Sequence, residues 1–399
     1  MKFKSLLLLV ILISSCQPQP PKSIGDSNIS VFDNTNLYFD MAFKSDSIKR
    51  DDSILRLDAG RVLVKKVKIP VYEKQPNATV NVTLTSNGDP WDKSGSLFVI
   101  PNLTNLNLVD FETGQFDLKQ LNEKYPATIP FQKDSLKYIP NVELLRFMTP
   151  FGVGHFTNDE RVKNRKPPYI PHWEEQVKWS QDITHLIPLL EGEVYIGVMI
   201  DTWTKEGYTI SVDLNFTESA IPNHIKTSQS VIPLVNTSKY ASEQRLYDDF
   251  SKQPIEVNFT TASIYKNAKL YFITTGHGGH AEGDEFVKKE HRIDFDGKTI
   301  KSWIPWRDDC ASFRRFNPTS GTWLAKDFME EELSDDRIAS SDLSRSNWCP
   351  GSDVKPEIMD LGDLQQGEHV LKIAIPEAQE AKDNENNYWM VSAYIVYDN

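Results

Sequence analysis

The sequence predicts an all-β protein of sandwiches or jelly rolls arranged in two domains, on three observations. Residues 78–84 (ATVNVTL), 208–216 (YTISVDLNF) and 370–375 (VLKIAI) alternate apolar and polar side chains with the period of two of a half-buried strand. Clusters of Gly, Pro, Asn and Asp punctuate the chain at short intervals, and helical periodicity is scarce, which argues against βαβ units. The 399 residues also exceed what a single core usually organises.

The chain opens with MKFKSLLLLVILISSC: two lysines, an apolar run over 6–13, two serines and Cys16. That run is too short to span a bilayer within a mature domain and reads as a signal peptide over 1–16. Small residues directly before a cysteine resemble a bacterial lipobox, so Cys16 is expected to carry lipid and to anchor a cell-envelope lipoprotein in the periplasm or at the outer-membrane surface. Residues 17–44 read as a spacer that begins Pro-rich. A first β-domain is expected over 45–218, interrupted by an aperiodic insertion at 102–143, with 194–200 (VYIGVMI) as a central strand. The regularity is lost over 219–254, which reads as a linker, and a second β-domain fills 255–399 around an acidic excursion at 325–342.

The net charge of −12 argues against nucleic acid or an anionic surface as partner, because both repel an acidic protein. Aromatic residues make up 11% of the chain, and several Trp stand beside charged groups, as in Trp91-Asp92 and Asp201-Thr202-Trp203. Such pairs suit sugars, whose C–H faces stack on an indole, although a buried Trp is the commoner use of the residue. With Cys16 set apart, Cys310 and Cys349 are most simply one disulfide in an oxidising compartment. It would close a loop of roughly 40 residues, for which chain entropy gives about 3 to 4 kcal/mol.

The chemistry admits two readings. Residues 276–291 (GHGGHAEGDEFVKKEH) offer His277, His280 and His291 with Glu282, Asp284 or Glu285 as ligands for zinc or copper. Histidines three apart suit a helix, however, and a stretch with four glycines will not form one. The other reading rests on carboxylates: Asp92 in the turn-like DPWDKSG, Asp201 after the buried run over 194–200, and Glu285 in GDEFV. Acids beside buried strands sit at sheet ends, where sandwiches gather their loops, so the three could converge; singly, each also reads as a solvated turn residue.

Five segments in order, PWDKSGSLFV (90–99), RFMTPFGVG (146–154), IDTWTKEGYTISVDLNF (200–216), GGHAEGDEFVKKEH (278–291) and SRSNWCPG (344–351), resemble the bacterial peptide:N-glycosidase F family. Its members are amidases that cut between an asparagine side chain and the first N-acetylglucosamine of an N-glycan. The resemblance covers about 50–399 and implies two adjacent eight-stranded antiparallel jelly-roll sandwiches, a site between them, no metal or other cofactor, and N-glycosylated proteins or glycopeptides as substrates of a monomer. It places the principal catalytic acid at Asp92, a second at Glu285 and a third at Asp201, where the family commonly has Glu. Trp91, Trp203, Arg345 and His280 are expected to contact substrate, and the Cys310–Cys349 pairing agrees with a family disulfide. The family brackets its glutamate with linked cysteines; none lies near Glu285, so the means of holding that residue is an open question. A glycan-binding lipoprotein without turnover and a copper-dependent monooxygenase using the histidine loop are the competing readings.

Overall fold

The computed structural model describes residues 26–43, 54–72, 75–101, 103, 105–113, 131–133, 136–157, 173–217, 229–238, 240, 249–278, 282–323, 337–381 and 386–399. The expected signal peptide with Cys16, half of the 102–143 insertion, much of the acidic excursion and His280 lie outside them. Within them the chain is nearly all β, with antiparallel strand pairs and two sandwiches. No helix among the described residues is long and apolar enough to cross a membrane.

In the first sandwich a four-stranded sheet runs in the order Ser27–Leu37, Tyr208–Thr217, Asn77–Ser86, Gln176–Asp182. It packs on a six-stranded sheet ordered Asp353–Val354, Val142–Met148, Ser94–Ile100, Gly192–Ile200, Val62–Ile69, Ile54–Leu57. Alternation decides which residues meet: Val80, Val82 and Leu84 of one sheet share a core with Leu97, Val99, Ile196 and Val198 of the other. In the second sandwich Gln229–Asn236, Tyr388–Asp398, Tyr265–His277 and Glu357–Leu364 face Ile255–Thr261, Gly367–Ala374, His291–Phe295 and Lys298–Trp303. Phe259, Ile293 and Leu371 close that core against Leu270, Phe272 and Ile395.

Two strands fall where the sequence reads as connection. Ser27–Leu37 lies inside the expected spacer and pairs with Tyr208–Thr217. Register shifts between Ser30 and Phe32, and again between Phe32 and Thr35, put Val31 and Phe32 in the core side by side, which erases the period of two. Gln229–Asn236 lies inside the expected linker. Among the described residues it is an edge strand pairing only with Tyr388–Asp398, and Pro233 sits at its bulge, a place where the missing N–H is tolerated.

Several contacts among the described residues join the two sandwiches. Asp353 and Val354 of the second half pair with Phe147 and Arg146 of the first. Tyr394 and Val396 of the second sandwich enter the core of the first. Finally, the Arg146–Glu143 ion pair, 2.7 Å long and with both side chains fully buried, reaches across. Arg146 Nη1 donates to Thr275 Oγ1 at 3.2 Å and to the Met390 carbonyl, while Glu143 Oε1 accepts from Ser96 Oγ at 2.6 Å.

Candidate active site

Sheet ends facing the junction supply the site. The turn carrying Asp92 links Asn77–Ser86 to Ser94–Ile100 and is organised by Asp89, which is fully buried. Its Oδ1 accepts from the Trp91 N–H at 3.0 Å and its Oδ2 from the Thr202 hydroxyl at 2.6 Å, so one carboxylate ties the Asp92 turn to the Asp201 turn. Lys93 and Thr149 exchange two further bonds, and the Trp91 carbonyl accepts from the buried Tyr208 hydroxyl. These bonds spend the turn's local polar groups on its own shape, and the Asp92 side chain is left to face the second sandwich.

Arg345 meets it there. Its backbone exchanges both bonds with Arg307 at 2.9 Å, and the Cys310–Cys349 disulfide closes the same stretch. The guanidinium is 1% exposed and lies 4.4 Å from the Trp348 ring and 4.9 Å from that of Phe286. Nη1 stands 2.9 Å from Asp92 Oδ2 and also donates to Glu285 Oε1, while Nη2 donates to the Ser340 carbonyl at 2.7 Å. Arg345 therefore backs the two acids rather than standing in the open.

Glu285 is held without cysteines. The preceding Asp284 is fully buried and accepts from Trp389 Nε1 at 3.0 Å and from the Gln379 N–H. Ser346 donates its hydroxyl to the Asp284 carbonyl at 2.6 Å and its N–H to the Glu285 carbonyl at 2.9 Å. The Gly278 N–H donates to Glu285 Oε2 at 3.3 Å; Gly278 has φ +85°, and a Cβ there would lie 1.8 Å from the Asn386 carbonyl oxygen, so only glycine passes. Burial pushes the Glu285 carboxyl up to about 7; Arg345 opposes this and the nearby Asp92 charge adds to it. Burial likewise raises Asp284 to about 6, against the Gln379 N–H.

Asp201 follows the strand Gly192–Ile200 and belongs to a neighbouring group. Its N–H donates to the Ser94 carbonyl at 3.0 Å, which fixes it beside the Asp92 turn, but its Oδ1 pairs with Arg61 Nη1 at 3.2 Å. Trp91 and Trp203 are 53% and 54% exposed, so each stands half open to solvent beside an acid. The other histidines do not converge. His277 Nε2 bonds Thr275 Oγ1 at 2.8 Å and its ring stacks on Trp348 and Tyr388, while His291 Nε2 bonds Thr274 Oγ1 at 3.0 Å against Trp389. Burial lowers the pKa of both, His291 to about 3. Among the described residues no group of three His, Cys, Asp or Glu is placed to hold a metal ion. Sequence reasoning missed Asp89 and Arg61 and considered Asp284 only as a possible metal ligand; Asp89 and Asp284 stand within three residues of a chosen acid, and Asp-Pro is itself a turn signal.

The N-terminal and C-terminal sequence models described as peptide-N-glycosidase F match residues 28–216 and 246–396. The chain belongs to the peptide-N-glycosidase F family. PNGF-II, solved in two crystal forms, shares 34% identity with this family member at a TM-score of 0.78, over 93% of this chain in one form. The chain spans 65% of PNGF-II's length. Recombinant peptide: N-glycanase F, at 16% identity and TM-score 0.56, and the glycosylasparaginase PNGase F of Flavobacterium meningosepticum, at 14% and 0.54, each align over 94% of this chain and 96% of their own; they share its two-domain jelly-roll fold. No curated protein sequence matches.

Proposed function

We propose that this peptide-N-glycosidase F family member hydrolyses the amide between an asparagine side chain and the innermost N-acetylglucosamine of N-glycans on glycoproteins or glycopeptides, releasing the glycan and leaving aspartate. One observation carries the reading: a buried guanidinium shared by Asp92 and Glu285, with the latter poised near neutrality. Amide hydrolysis needs a base to prepare water and an acid for the departing nitrogen, and a carboxyl near 7 exchanges its proton readily at neutral pH. In this scheme Glu285 takes a proton from the water whose oxygen bonds the amide carbon, that proton is passed on to the nitrogen as the C–N bond breaks, Asp92 accepts hydrogen bonds from the amide and first sugar and relays the proton, and Arg345 fixes the spacing between the acids. Asp201 and Trp203 bind sugar. The lipid anchor proposed at Cys16 would hold this chemistry at the cell envelope.

The test is the mass of the peptide released from a glycopeptide, with and without chelator. An amidase leaves aspartate at the former glycosylation site, and chelation is expected to change nothing. Peptide retaining one sugar, binding without release, or release abolished by the chelator would each overturn the assignment.

A second expectation concerns pH. If Glu285 acts as base it must be ionised, so kcat/KM should rise with pH through about 7 and then level off. A profile that falls over that range makes Glu285 the acid. The same shift bears on stability. Because the folded pKa is raised from 4.5, the native state binds more protons than the unfolded chain between about 4.5 and 7, and this group's contribution falls as pH rises across that window. The Glu285→Gln protein should lack that slope in urea titrations run from pH 5 to 7.

A further inference from the structure

We infer that Arg61 is a positioning residue which holds the Asp201–Trp203 turn in its working shape, and that the strained turn before it serves to aim that guanidinium; the kinetic part rests on the reading proposed above.

The strain is at residues 58–60. Asp58, Ala59 and Gly60 have φ of +47°, +54° and +99°, and two of the three carry a Cβ. They join the paired strands Ile54–Leu57 and Val62–Ile69, with Leu57 opposite Val62. A four-residue hairpin loop is ordinarily built around a type I turn at negative φ, so this connection does not by itself require three left-handed residues. A Cβ on Gly60 would lie 2.6 Å from the Tyr38 carbonyl oxygen, which leaves that position to glycine. The surroundings enforce the conformation: Glu112 Oε2 accepts from the Asp58 N–H at 2.8 Å, and the Ala59 carbonyl accepts from Asp40.

What the strained turn delivers is a fixed guanidinium. Arg61 Nη2 lies 2.7 Å from Asp58 Oδ2, Nη1 reaches Asp201 Oδ1, and the Arg61 side chain is 5% exposed. Its flat group sits 4.5 Å from the Trp203 ring and 5.1 Å from that of Phe39, which itself tilts against Trp203 at 5.1 Å. The Arg61 carbonyl accepts from Ile200, one residue before Asp201. One buried side chain thus sets the carboxylate and the indole together. A planar, delocalised cation can fork to two acids while lying against aromatic rings; an ammonium cannot. Arg61 is too enclosed to touch substrate, so it acts through Asp201 and Trp203.

Replacing Arg61 alone would strand the buried Asp58 charge, so the test uses the neutralised pair Asp58→Asn with Arg61→Gln, beside Arg61→Lys. For glycan release from a glycopeptide, KM is expected to rise about tenfold in the pair with kcat within about threefold, the pattern of lost binding rather than lost chemistry. The rise should be smaller when Trp203 is already Ala, because the clamp acts in part through that residue. A second readout needs no turnover: acrylamide quenching of Trp203, taken as the difference between each protein and its Trp203→Phe counterpart, should increase in the pair. Arg61→Lys should resemble the pair. Unchanged KM and quenching in folded protein, effects additive with Trp203→Ala, or full function with lysine would overturn the inference. Should the pair fail to fold, Arg61→Lys decides it by the same measurements. Absence of release by the unsubstituted protein refutes the amidase reading instead, and quenching still decides the clamp.

Discussion

Asp92→Asn is expected to lower kcat for glycan release by about a thousandfold or more, the scale on which loss of a positioned proton-transfer group is felt. The substitution is nearly isosteric, and the turn's shape rests on Asp89, Thr149 and Tyr208 rather than on the Asp92 side chain, so the folded structure should persist. What disappears is one of the two charges on Arg345. Glu285 should respond as well. With the Asp92 charge gone, one of the influences raising its pKa is removed while Arg345 still favours ionisation, so any residual activity should show its pH limb displaced downward. Near-normal release by a well-folded Asp92→Asn protein would remove this residue from the mechanism.

Arg146→Met should produce the largest loss of stability, about 3 to 5 kcal/mol, because it leaves the Glu143 carboxylate buried without its cation. The loss should be much smaller when Glu143→Gln is combined with it, since the double substitution leaves no uncompensated charge. Urea unfolding of the single and double variants checks both statements. A single variant as stable as the parent would mean that Glu143 finds another partner. The arginine also reaches Thr275, whose hydroxyl bonds His277 beside Gly278, and Gly278 in turn bonds Glu285. Damage at this pair is therefore expected to reach the active site even where the protein folds.

Strands whose faces separate cleanly are legible in the sequence alone. Asn77–Ser86 and Tyr208–Thr217 alternate without interruption because each has one face on the core and one outward. Ser27–Leu37 and Gln229–Asn236 are not, since bulges shift the phase of burial along the chain. The two cysteines read as one bridge, and they form one. The histidine-rich segment points toward a metal only while the partners of its imidazoles are unknown; each buried one in fact answers a threonine. Asp92 and Glu285 stand out as acids near buried strands, but their meeting on one guanidinium cannot be read from spacing, because the three residues come from separate loops of two sandwiches. Arg61 is invisible for the same reason: its work depends on a turn that contacts it from 140 positions further along.

The short strand Asp353–Val354 caps the outer edge of Val142–Met148, yet it is synthesised 206 residues after its partner Phe147. Until residues 353 and 354 have docked, wherever folding takes place, the first sandwich keeps an open strand border of the kind that recruits other chains. The second half of the chain thus guards the first against pairing with its neighbours, a duty separate from any chemistry at the junction.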